Sequence, residues 1–175
     1  LDLGHRRVGL VNGIEHMDFA IRRRAGYVEA LTARSIPIDA ALMTSEDMTE
    51  HSGFRAASRL LQSADPPTAF LAASMLSGMG VRRALEARGL KMGRDVSVII
   101  FDDELSYLKN GEDVPIFTAT RSSVRDAGRI AAQMLLDHIA NPDAPPTHRL
   151  LEADLILGQS TGPAPHPEAA RAHTL

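Results

Sequence analysis

Short apolar runs, each followed by an amphipathic stretch of helical length, recur along the first hundred residues. That rhythm limits the fold more than any other feature of the chain. Residues 7–11 are apolar and end in the turn pair Asn12-Gly13, which predicts a short buried strand. From 19 to 33 the apolar positions Phe19, Ile21, Tyr27, Val28 and Leu31 fall at helical spacing, with Asp18 placed to cap the start. Residues 40–43 read as a second strand and 50–62 as a second helix, turning Phe54, Ala57, Leu60 and Leu61 inward. Residues 68–73 are too apolar to alternate, as befits a strand buried on both faces, and 75–88 read as a helix stopped by Gly89. The run 96–101, Val-Ser-Val-Ile-Ile-Phe, is the most strand-like of all. Strands alternating with helices imply right-handed crossovers and a doubly wound parallel α/β sheet with helices on both faces.

After this module the rhythm changes. Residues 102–115 form a polar loop, 117–121 a short extended piece, 124–140 a helix and 150–157 a last strand. Residues 163–175, with three prolines and no core face, read as a flexible tail.

Composition removes several function classes. With 19 basic against 22 acidic residues the net charge is −3, so the chain repels phosphate and does not itself bind nucleic acid. The absence of cysteine excludes disulfides, thiolate nucleophiles and cysteine-ligated metals, and fits a reducing compartment. No apolar run approaches the roughly 18 residues of a membrane span. The seven histidines are never three to five apart, so no helical zinc spacing arises and no metal or cofactor is expected.

Two motifs invite chemistry and fail on context. Gly158-Gln159-Ser160-Thr161-Gly162 has the form of a nucleophile elbow, but Pro163 follows where a helix should begin. Only His166, Glu168 and His173 remain downstream as partners. Gly78-Met79-Gly80 follows a buried strand, but Arg83 occupies the third position of a dinucleotide fingerprint and the pair lies inside the helix; small residues permitting a close helix contact explain it better. No catalytic residue is therefore assigned.

Binding is a better reading. Arg22, Arg23 and Arg24 sit on one helix and cannot all face one way at about 100° per residue, so one points somewhere specific. Ligands of open parallel sheets bind outside the carboxyl ends of the strands. Asn12, Met48, Ser74 and Asp102 all fall at such ends. Of the adjacent pair Asp102-Asp103, whose side chains diverge, one faces the crevice as an acceptor for ligand hydroxyl or amine groups and the other caps the loop.

The same residues carry a family resemblance. Leu3-Gly4-His5-Arg6-Arg7-Val8-Gly9-Leu10, Arg23-Arg24-Ala25-Gly26-Tyr27, Ser52-Gly53-Phe54, Pro67-Thr68-Ala69, Arg83-Ala84-Leu85, Asp95-Val96-Ser97-Val98 and Phe101-Asp102-Asp103 follow one another in an order that resembles the lac repressor/galactose repressor family. The resemblance runs to about Gly162. It implies a transcriptional regulator with an N-terminal helix-turn-helix and a two-lobed, periplasmic-binding-protein-like effector core, acting as a cytoplasmic dimer on operator DNA. Placed on that pattern, the chain corresponds to the C-terminal lobe (residues 1–121), a partial second lobe (122–152) and a return to the first lobe (153–162), with the DNA-binding head outside it.

The resemblance also implies that Arg23 and Asp102 contact a small-molecule effector such as a sugar, a nucleoside or another small polar metabolite. It places Ser74, Met48 and Ser122 around the same pocket. Ser74-Met75 stand where relatives have Asn-Asp, and Met48 stands at a position that is often aromatic. Fewer donors and acceptors there imply a pocket less suited to a polyhydroxylated sugar than is usual in the family. Leu76, Met79 and Arg83 are the implied dimer contacts. A periplasmic solute-binding protein of a sugar-type transporter is the alternative, sharing fold and cleft; an enzyme on the same sheet would rest on the motif around Ser160.

Overall fold

The computed structural model describes residues 1–102, 104 and 108–165. Its elements follow in the order β1 (Val8–Asn12), α1 (Asp18–Thr32), β2 (Met43–Ser45), α2 (Glu50–Leu60), β3 (Ala69–Ala72), α3 (Met75–Glu86), β4 (Ser97–Asp102), β5 (Thr118–Arg121), α4 (Val124–Ala140) and β6 (Asp154–Ile156). The strands form one sheet ordered β2-β1-β3-β4-β5-β6. β1 to β5 run parallel and β6 pairs antiparallel with β5. This is the doubly wound α/β fold that the rhythm of the sequence implies.

Helices pack on both faces of the sheet because its central strands are apolar on both. Phe70, Ala72, Val98 and Ile100 point into a core shared with Ala56, Ala57, Leu60, Val81, Ala84 and Leu85 of α2 and α3. Leu71 and Leu10 point the other way, against Tyr27 and Leu31 of α1. The two outer helices meet through small residues: a Cβ on Gly80 would stand 2.1 Å from the Glu50 carbonyl oxygen, and one on Gly53 2.3 Å from that of Ser77. The pair Gly78-Met79-Gly80 is thus a packing device. α3 ends in a Schellman motif, with Leu90 N–H bonding Leu85 O, Gly89 N–H bonding Glu86 O, and Gly89 at φ +68°.

Several boundaries differ from the sequence reading. Residues 40–42 form a 3-10 turn, N-capped by Asp39, and β2 begins only at Met43. The last strand is Asp154–Ile156 rather than 150–157. Asp18 is the first helical residue, not a cap, and pairs with Arg22 at 2.7 Å. Phe19 and Ile21 are about half exposed instead of core, since Ala20 takes the inward position. Ala164 N–H bonds Leu3 O at 2.8 Å, so the start of the tail is docked; residues 166–175 lie outside the described residues.

α4 stands apart. None of its residues is buried, and Leu135, Leu136 and Ile139 are 60%, 59% and 64% exposed. Among the described residues no helix is long and apolar enough to cross a membrane.

Candidate functional site

Parallel strands deliver their carboxyl ends to one edge of the sheet, and the polar side chains there stand on loops held by the core below. Asn12 closes β1, 2% exposed. Its amide donates to Ala20 O (2.9 Å), and its oxygen accepts from Arg23 Nη1 (3.3 Å). The three consecutive arginines separate as helical geometry demands. Arg22 pairs with Asp18 and Arg24 with Glu15, both in solvent, whereas Arg23 turns toward the strand ends.

There the Arg23 guanidinium lies 5.7 Å from the Phe19 ring and 5.6 Å from the Phe101 ring. Two aromatic faces hold the cation plane without meeting its remaining donors. Burial lowers the pKa of Arg23 from its ordinary value. Among the described residues its hydrogen bond is the one to Asn12 and it forms no ion pair, so a half-buried guanidinium with further donors faces the strand ends.

Asp102 ends β4 and is 6% exposed. One carboxylate oxygen accepts the Glu104 N–H at 3.1 Å and the other accepts Arg121 Nη2 at 3.3 Å. Arg121 is its register partner on β5. Asp103 lies outside the described residues. Gly13 sits between Phe19 and Met48: a Cβ there would be 2.9 Å from Phe19 Cε2 and 3.4 Å from Met48 Sδ, so thioether and ring form an apolar lip beside Arg23.

The other named positions stand differently. The Ser74 hydroxyl caps α3, accepting from Ser77 N at 3.2 Å, and Met75 is buried in the core. The end of β3 therefore contributes little polar capacity. Ser122 is half-buried, and its N–H bonds Asp102 O at 3.2 Å. Met79 packs against the core, and Arg83 stacks on Phe54 at 4.1 Å while pairing with Glu50 at 2.9 Å.

Ser160 is fully buried. Its hydroxyl donates to Val98 O and accepts the Thr118 N–H, joining β4 to β5. A serine with both roles occupied inside the core is a staple rather than a nucleophile. His5, 4% exposed, bonds Thr68 Oγ1, Ser97 Oγ and Gly162 O at the opposite ends of the strands. Among the described residues no three histidine or carboxylate side chains gather into a metal site.

Phe19, Phe101 and Arg121 were not anticipated as site residues. Phe19 was hidden by its fit to the helical apolar pattern. Arg121 had one available signal, a long cation at the carboxyl end of the strand that neighbours the one carrying Asp102.

Among the described residues the edge thus offers a carboxylate, an amide, a half-stacked guanidinium and apolar ring faces. Such a set grips neutral polar molecules through hydroxyl donors and acceptors while covering their C–H faces.

Comparison with known proteins places this edge in context. A model of the periplasmic binding protein-like domain matches residues 1–161. The HTH-type transcriptional regulator AglR of Rhizobium meliloti (strain 1021) is 43% identical over 166 residues, covering 94% of this chain and 46% of that protein. A solved complex of the transcriptional regulator CelR with cellobiose is 31% identical at a TM-score of 0.81, covering 91% of this chain and 48% of its own. The lac repressor dimer bound to operator and the anti-inducer ONPF is 28% identical at a TM-score of 0.79, covering 92% and 54% respectively. The chain spans about half the length of the curated relatives it matches.

Proposed function

This chain belongs to the periplasmic binding protein-like family, and from that premise we propose that it is the effector-binding portion of a ligand-switched transcriptional regulator of the lac repressor type. Residues 1–121 and 153–162 make up one lobe, and 122–152 belong to a second lobe that packs on α4 and closes over the strand ends. Operator DNA is bound by a helix-turn-helix head outside this chain, in a cytoplasmic homodimer, with Leu76, Met79 and Arg83 of α3 near the dimer contact. Effector binding selects one arrangement of the lobes and so changes DNA affinity.

One observation carries the reading: Arg23, held between two rings and bonded to Asn12 at the end of β1, turns toward the strand ends where Asp102 closes β4. The effector is a small polar molecule, a sugar, a nucleoside or another small polar metabolite, whose hydroxyls donate to Asp102 and accept from Arg23. Ser74, Met48 and Ser122 border it. The relatives named as regulators, one of them solved with cellobiose, support this over a periplasmic solute-binding protein. The role is binding rather than catalysis.

In the full-length protein, Asp102→Ala or Arg23→Ala should raise the effector concentration needed to change operator affinity by about 100-fold, as loss of a charged hydrogen bond requires. Operator affinity without effector should be unchanged. Fluorescence anisotropy on operator DNA, titrated with cellobiose and other neutral disaccharides, measures both. An undiminished response in these variants would remove Arg23 and Asp102 from the site.

A further inference from the structure

Arg121 joins the candidate site to the strand by which the chain leaves the sheet. Its Nη2 lies 3.3 Å from Asp102 Oδ2 and its Nε 3.7 Å from Glu104 Oε1. The Nε–H is buried and makes no hydrogen bond among the described residues. A buried donor left unsatisfied is costly, and a side chain selected only to stabilise the sheet edge would not leave one. Directly after Arg121, the Ser122 N–H bonds the Asp102 carbonyl, and Ser123 caps α4. One residue thus contacts Asp102 from the last position of β5, three residues before α4 begins.

We propose that Arg121 is a positioning residue of this site, fixing the orientation of the Asp102 carboxylate and tying it to the start of α4. This rests on the effector-site reading above. Among the described residues the carboxylate accepts one bond from Arg121 on Oδ2 and one from the Glu104 N–H on Oδ1, which leaves a lone pair on each oxygen for a ligand hydroxyl. Without Arg121 the carboxylate is free to rotate, and both bonds loosen.

The test uses the full-length protein as wild type, Arg121→Lys, Arg121→Met, Asp102→Asn and the double variant Arg121→Met with Asp102→Asn. Residue-resolved amide exchange follows the Glu104 N–H, with the α2 amides as the control for global stability. Calorimetric titration with cellobiose, maltose and trehalose follows binding. Arg121→Met should speed Glu104 exchange by about 10-fold with α2 unchanged, weaken disaccharide binding by about 10-fold, and cause no further loss in the Asp102→Asn background. Arg121→Lys, which keeps the charge, should recover most of both effects.

Unchanged Glu104 exchange in Arg121→Met overturns the proposal. So do binding losses that add fully to those of Asp102→Asn. If no disaccharide binds the wild type, the carbohydrate reading falls by itself. The exchange arm then decides Arg121 alone, faster exchange supporting the proposal and unchanged exchange overturning it.

Discussion

His5 shows how one side chain can be decisive for reasons remote from the ligand. Its ring joins Thr68 at the entry to β3, Ser97 at the start of β4 and Gly162 beyond β6, so a single imidazole ties together three chain segments. Burial lowers its pKa from the ordinary value of 6.5, opposed in part by the hydrogen bond to Gly162 O. The unfolded chain therefore binds a proton at a higher pH than the folded one. The stability this neutral ring contributes is fully present above pH 6.5 and is lost as pH falls from there toward the lowered folded value. Thermal melts from pH 7.5 down to 5.0 should show a decline that is shallower in His5→Gln; identical pH slopes in the two proteins would exclude this role.

At the scale of elements, two glycines in helices should respond in opposite ways to the same substitution. Gly80 lies where α3 meets α2, and a Cβ there meets backbone rather than a movable side chain. Gly80→Ala should cost about 3 kcal/mol, because the helices must separate. Gly128 lies in α4 with nothing within 4 Å of its missing Cβ. Gly128→Ala should stabilise the helix by about 1 kcal/mol through propensity alone. Urea midpoints of the two variants of this chain test both, and a shift of the same sign in each would refute the packing account of Gly80.

For the whole molecule, exposed apolar surface gathers in two places, along 122–152 where a second lobe is proposed and on the sheet face beside α1. Leu135, Leu136 and Ile139 lie exposed along α4, and Leu150 is 95% exposed. On the α1 face, Leu71, Ile99, Phe101, Leu155 and Leu157 line an open groove of about 570 Å³. Leu136→Asp should change the stability of this chain by less than about 0.5 kcal/mol, since the position is already in water. In the full-length protein it should cost about 3 kcal/mol or more, because a carboxylate would be buried without a partner. Equal effects in the two proteins would refute the assignment of 122–152 to a second lobe.

The order of strands and helices was legible in the sequence, because period and length alone distinguish doubly buried strands from one-sided helices. The position of Asp102 was also legible, since a carboxyl strand end is a place in the topology as well as in space, and helical geometry required one of Arg22, Arg23 and Arg24 to diverge from the others. Register and direction were not: that β6 runs antiparallel, and that Arg121 stands opposite Asp102, depend on pairings between segments distant in sequence. Phe19 lies half exposed beside Arg23 although its type favours burial, whereas Met75 takes the core place that its type favours. Apolarity says that a side chain favours burial, whereas the packing of neighbouring elements decides which apolar side chain obtains it. Likewise the sequence presents Ser160 between two glycines, and only the folded core, by occupying both sides of its hydroxyl, makes it a staple.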